Sequence, residues 1–127
     1  MDVTMTIKYA DIFYGLRLDQ LERVVAICRR QVLDRGAMIF CENSPGDKIY
    51  IILHGMVEIV VDPATLGLET NSPPRIVATL REGQLFGEIA VVDQGLRSAG
   101  ARVAADHTQL LVIKRDDLLA LCRQDYE

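Results

Sequence analysis

KIYIILHGMVEIVV, residues 48–61, sets two short apolar runs, KIYIIL (48–53) and MVEIVV (56–61), on either side of His54–Gly55. Both runs are too short for a stable helix and rich in isoleucine and valine, so both read as strands. Glycine supplies the positive φ that a tight turn demands, so Leu53–His54–Gly55–Met56 is expected to close a hairpin. The same rhythm continues in both directions. AMIF (37–40), RIVATL (75–80) and QLLVI (109–113) are further strand-like runs. DRG (34–36), NSPGD (43–47), DPATLGLETNSPP (62–74) and REG (81–83) stand between them as turn segments. Short strands punctuated at roughly 9–16-residue intervals predict an all-β sandwich or barrel. The segment 62–74, with Pro73–Pro74, reads as a mobile surface loop.

The ends of the chain follow another period. Leu18, Leu21, Val24, Val25 and Cys28 recur at helical spacing, while Gln20, Glu22, Arg23 and Arg30 take the other side. Ile12–Phe13–Tyr14–Gly15–Leu16 reads as a preceding helical turn ended by glycine. At the far end Asp116 and Asp117 precede LLALC, and acidic residues suit the positive end of a helix, which is expected to start near Arg115.

Bulk properties narrow the function classes. At 127 residues the chain is one domain by length. A net charge of −4 and the lack of a basic stripe give no electrostatic basis for nucleic-acid binding by this chain alone. No apolar run has membrane-spanning length and the N-terminus has no signal-peptide core, so no membrane partner and a cytoplasmic location are expected. Cys28, Cys41 and Cys122 form no CxxC pair and read as buried free thiols. His54 and His107 have no neighbour at metal-ligand spacing, so no metal is expected, which argues against a cupin-type metalloenzyme. No nucleophile–base arrangement stands out, and no catalytic residue is assigned.

The chemistry concentrates in FGEIAVVDQGLRSAGA, residues 86–101, where Glu88 and Arg97 sit among glycines in an apolar stretch. Gly87 and Gly95 permit close backbone approach to a ligand. A helical turn over EIAVV would present unpaired amides at its positive end, suited to phosphate. Arg97 would add a charge-assisted contact of about 1.5–3 kcal/mol. Glu88 repels phosphate but accepts a hydrogen bond from a sugar hydroxyl, and Ser98 offers a donor. Together these groups fit a nucleotide or a sugar phosphate. A buried Glu88–Arg97 pair without a ligand is the alternative, though such pairs add little stability over apolar packing.

F-G-E-I-A followed by R-S-A, in a glycine-punctuated β domain, resembles the phosphate-binding cassette of the cyclic-nucleotide-binding domain family. That family includes the regulatory subunits of cAMP-dependent protein kinase and the sensor half of the catabolite activator protein. ENSPGDKIYIILHGMVEI (42–59), REGQLFGEIA (81–90) and RDDLLALC (115–122) carry the resemblance across nearly the whole chain. It implies a mainly β fold with flanking helices: a β-roll, or jelly-roll double-stranded β-helix. It further implies one domain over 1–127, with a helical N-terminal segment at 8–32, the β-roll at 33–114 and a short C-terminal helix at 115–125. By the same resemblance Glu88 holds the ribose 2′-OH and Arg97 the exocyclic phosphate oxygens. Gly87, Ile89 and Ala90 supply amides and close approach, Ser98 meets the phosphate or base edge, and Val77 walls the base.

Two departures from the family pattern stand out. R-S-A-G-A-R-V carries one residue more than usual between Arg97 and the LLVI strand, which predicts a β-bulge at Gly100. Only a forerunner of the family's long C-terminal helix is present, at 115–127. The implied function is a regulatory sensor without catalysis. It binds a cyclic purine mononucleotide through the cassette at 86–98, cAMP before cGMP, and needs no cofactor besides that ligand. Partners would be a second copy, or an output domain or protein met through the C-terminal helix. The alternatives are a ligand-free interaction module and the detached sensor half of a DNA-binding transcription regulator.

Overall fold

A computed structural model describes residues 17–68, 72–87 and 95–126, with the side chains of Leu21 and of residues 122–126 outside that description. Helix α1 (Leu18–Ile27) leads into β1 (Arg29–Leu33), β2 (Met38–Phe40), β3 (Lys48–His54) and β4 (Val57–Val61). A 3-10 turn at Pro63–Leu66 follows, then β5 (Arg75–Leu80), β6 (Leu85–Phe86), β7 (Gly100–Val103), β8 (Thr108–Lys114) and helix α2 (Arg115–Tyr126). The strands form two antiparallel four-stranded sheets, ordered β1-β8-β3-β6 and β2-β7-β4-β5. The fold is mainly β, a roll with helices on its flank, as the sequence implies.

Strand β3 organises the core because both of its faces are covered. Ile49, Ile51 and Leu53 pack with Leu111 and Ile113 of β8 beneath Val24 of α1 and Leu118 of α2. Tyr50 and Ile52 point the other way and join Val57, Phe86, Ala101 and Leu110 between the sheets. A strand buried on both faces has no reason to alternate with polar residues, hence the unbroken KIYIIL. Helix α2 begins at Arg115 as expected, with Asp116 and Asp117 in its first turn.

Three expectations change. The 53–56 turn is not a hairpin: β3 and β4 lie in different sheets, and the chain passes between them at a corner. Gly55 has the expected positive φ, 101°. Its missing side chain admits the buried Thr108, whose Cα would lie 2.9 Å from a Cβ at Gly55. Thr108 Oγ1 accepts from Met56 N at 3.4 Å and donates to the Ala105 carbonyl at 2.7 Å. The Ala104 amide donates to the Met56 carbonyl at 2.9 Å. Backbone lost from one sheet is thus bonded again at the corner, as buried polar groups require.

Second, the helical segment placed at 8–32 gives way to strand at Arg29. Strand β1 pairs with β8 from Arg29↔Val112 to Leu33↔Thr108. Arg29, Arg30 and Gln31 are exposed on this edge strand, which is held by backbone pairing that side-chain periodicity does not report. Residues 8–16 lie outside the described residues. Third, the extra residue inferred at Gly100 leaves β7 undisturbed, since its ladder with β4 runs regularly from Val57↔Val103 to Val60↔Gly100. The irregularity lies in the facing strand, where Met38↔Arg102 is followed by Phe40↔Ala101 and Ile39 is the bulged residue. Gly100 is close-packed instead: a Cβ there would sit 3.3 Å from Val60 Cγ2 and 3.4 Å from the Phe40 carbonyl oxygen.

The thiols also divide. Cys28 is half-buried with Sγ 3.1 Å from the Val24 carbonyl oxygen, and burial pushes its pKa up to about 11. Cys41, expected to be buried, is exposed in the turn that follows β2, where the Ser44 amide donates to its carbonyl. Among the described residues no helix is long and apolar enough to cross a membrane.

The corner makes a stability prediction. Gly55→Ala is expected to lower the unfolding free energy by at least about 2 kcal/mol, through the positive φ and the collision with Thr108 backbone. Gly36→Ala, at φ 92° with open space around it, should cost about 1 kcal/mol. Urea denaturation of both variants measures the difference.

Candidate functional site

Arg97 is one of the two polar or charged residues buried among those described, at 4% exposure. Its backbone is fastened to the NSPGD turn. The Arg97 amide donates to the Ser44 carbonyl and the Asn43 amide to the Arg97 carbonyl, each at 2.7 Å, with a bridge between Pro45 and Leu96. Asn43 takes φ 68°, a left-handed conformation that asparagine tolerates. The turn therefore fixes where the arginine leaves the main chain.

The side chain then runs into the roll. Nη1 donates to the Gly87 carbonyl at 2.5 Å and Nη2 to the Lys48 carbonyl at 2.7 Å. The guanidinium carbon lies 4.1 Å from the centre of the Phe40 ring and 6.0 Å from that of Tyr50. Tyr50 and Phe86 stack at 5.1 Å with 13° between their planes, and Phe40 tilts against both. Burial raises the pKa of Tyr50, opposed by the Arg97 charge, so the phenol stays neutral across the physiological range. Gly87 is required twice here. Its φ is 86°, and a Cβ would stand 2.8 Å from Arg97 Nη1 and 3.3 Å from the Lys48 carbonyl oxygen.

Of the residues named from the sequence, Gly87 and Arg97 are brought into direct contact across ten positions of chain. Ser98 follows with an exposed side chain. Glu88, Ile89 and Ala90 lie outside the described residues. Val77 sits on β5, the edge strand of the other sheet, half-exposed. It is the bulged residue of its strand, since Val60↔Ile76 is followed by Ile59↔Ala78. Ala78 shares a face with Ile59, and Ile59 and Leu80 pack against the inter-sheet cluster, yet Ala78 is exposed. Arg75 to Thr79 are all exposed along this edge strand, so Val77 and Ala78 are both accessible. Counting in twos back from Leu80 finds Ala78 in the sequence. The Lys48 carbonyl and the Phe40 ring had no such signal.

A separate groove of about 510 Å³ lies on the outer side of the second sheet, around Met38, Glu42, Val60, Thr65 and Gly100, and contains neither Gly87 nor Arg97. Among the described residues no cluster of three or more histidine, cysteine, aspartate or glutamate side chains is arranged to hold a metal ion.

Residues 30–125 match the family described as the cyclic nucleotide-binding domain. The cyclic AMP receptor protein of Thermus thermophilus is 32% identical over 117 residues, 92% of this chain and 51% of that protein. The cGMP-dependent protein kinase 2 of Homo sapiens is 26% identical over 110 residues, 87% of this chain and 14% of the kinase. The co-crystal structure of the regulatory domain of Toxoplasma gondii PKA with cAMP gives a TM-score of 0.82 at 18% identity. That match covers 94% of this chain and 42% of the other, a likeness of fold. The chain thus spans about half the length of the bacterial relative and a small part of the kinase.

Gly87→Ala is expected to displace the arginine. Its guanidinium resonances in nitrogen–proton NMR spectra should shift, and stability should fall by about 1–3 kcal/mol. Gly67→Ala, at φ 76° in open space, should leave those resonances in place.

Proposed function

The chain belongs to the cyclic nucleotide-binding domain family, and on that footing we propose that it is a sensor module for a cyclic purine mononucleotide, cAMP ahead of cGMP. The observation that carries this reading is the buried Arg97 guanidinium, seated on the Gly87 and Lys48 carbonyls. A planar fork of donors suits two oxygens of one phosphate.

In the proposed complex Arg97 grips the exocyclic phosphate oxygens, and Gly87 lets the backbone approach them. Ile89 and Ala90 add amide donors, Glu88 accepts from the ribose 2′-OH, and Ser98 donates at the phosphate or base edge. The base lies toward β5, walled by Val77 and Ala78. The order of preference follows the Thermus relative, a cyclic AMP receptor, over the less similar cGMP-dependent kinase. The domain does no chemistry of its own and acts in the cytoplasm, where free thiols such as Cys28 and Cys41 are ordinary.

The output is proposed to run through α2 to a second copy or an output partner. Two consecutive carbonyls at the start of β3 serve the two ends of the path. Asp47 accepts from the first amide of α2, Arg115 N, at 2.8 Å, and Lys48 accepts from Arg97. A phosphate that draws on Arg97 changes the load on this peptide, and with it the seat of α2. A hundredfold difference in ligand affinity between two helix positions supplies about 2.7 kcal/mol of bias.

Calorimetric titration of the chain with cAMP, cGMP and 5′-AMP tests the reading. Saturable binding of a cyclic nucleotide is expected, and Arg97→Ala should weaken it about tenfold or more. Glu88→Gln should cost more affinity for cAMP than for its 2′-deoxy analogue. No heat with any of the three nucleotides would refute the sensor role.

A further inference from the structure

The Gly87 and Lys48 carbonyls accept from Nη1 and Nη2 of Arg97. A contact on the face of the guanidinium is a further constraint on its plane. The Phe40 ring provides it at 4.1 Å, within the range where an aromatic face attracts a cation.

The chain makes a local exception to its pleat to put the ring there. Met38 lines the outer groove, and simple alternation along β2 would send Phe40 outward with it. Instead Ile39 and Phe40, adjacent in sequence, both pack against the inter-sheet cluster. The bulge at Ile39 makes this possible by shifting the register between Met38 and Phe40, and bulges re-aim side chains in this way. The ring is then braced by Tyr50 at 5.7 Å and Phe86 at 6.1 Å.

From this geometry we infer that Phe40 is a positioning residue for anion binding, acting through Arg97 and touching no ligand atom. The inference rests on the reading that Arg97 receives the nucleotide phosphate. An arginine held in plane before the ligand arrives loses less freedom on binding than one that must first be ordered. The bulge and the ring together are thus a preorganising device for the phosphate fork.

The test compares cAMP affinity, by calorimetry on the full chain, for the wild type, Phe40→Leu, Phe40→Tyr and chains carrying phenylalanine with progressively more ring fluorines at position 40. Fluorination drains the negative ring face while nearly keeping its shape. Phe40→Leu is expected to weaken binding about three- to tenfold, and Phe40→Tyr to restore it. The fluorinated series should lose affinity in graded steps with little change in melting temperature. On an Arg97→Ala background, Phe40→Leu should cost nothing further, because its effect passes through the arginine. An equal loss on both backgrounds overturns the inference, since Phe40 would then only pack. If Phe40→Leu fails to fold, the fluorinated series decides. A flat series in a chain that binds cAMP overturns this inference alone. A wild type that binds no nucleotide overturns the nucleotide reading and this inference together.

Discussion

Strand β3 is closed to water on both faces, and this constrains nearly everything around it. Helices α1 and α2 share one side of it through Val24 and Leu118, while Tyr50 and Ile52 fill the space between the sheets. A strand so enclosed cannot slip by one residue without exchanging the two sets of side chains. Its ends are therefore fixed points. At the first, the Asp47 and Lys48 carbonyls receive the start of α2 and the guanidinium of Arg97. At the second, Gly55 and the buried Thr108 send the chain into the other sheet.

The site inherits its precision from these points. Arg97 is reached by carbonyls of two segments and by the ring of a third, and its own backbone is bonded to the 43–45 turn. Backbone acceptors are well suited to the task, because they move only if the strand moves. The arrangement also puts the proposed phosphate grip and the first turn of α2 on neighbouring peptides, so sensing and output need no long route through the domain.

How far the sequence reveals this depends on the kind of interaction. Gly87 and Arg97 are legible because each needs a particular residue type, one for a positive φ and close approach, the other for charge. The two-faced burial of β3 is legible in its unbroken apolar run. Gly55 announces a turn, but whether the next strand pairs with the last or leaves it depends on Thr108, far away in sequence, so a hairpin and a corner look alike. Strand β1 is hidden because Arg29, Arg30 and Gln31 are wet and backbone pairing leaves no trace in side-chain pattern. The bulge expected at Gly100 is absent from β7, and the irregularity of its other ladder falls at Ile39 in the facing strand, where no glycine marks it. The bulge at Val77 interrupts the alternation of β5, so which of Val77 and Ala78 shares the face of Ile59 follows from pairing and not from the residues themselves.

The pairing of β1 with β8 carries a consequence for how the chain acquires its shape. Arg29 and Val112 are partners although roughly eighty residues separate them, and β8 is also the neighbour of β3. The first sheet therefore has no centre until nearly the whole domain has left the ribosome. Contacts so distant in sequence are slow to form, on the order of milliseconds to seconds for comparable β topologies. Until then β3 presents the apolar run from Ile49 to Leu53 to its surroundings, and exposed apolar strands of this kind are what make a nascent chain prone to associate with others.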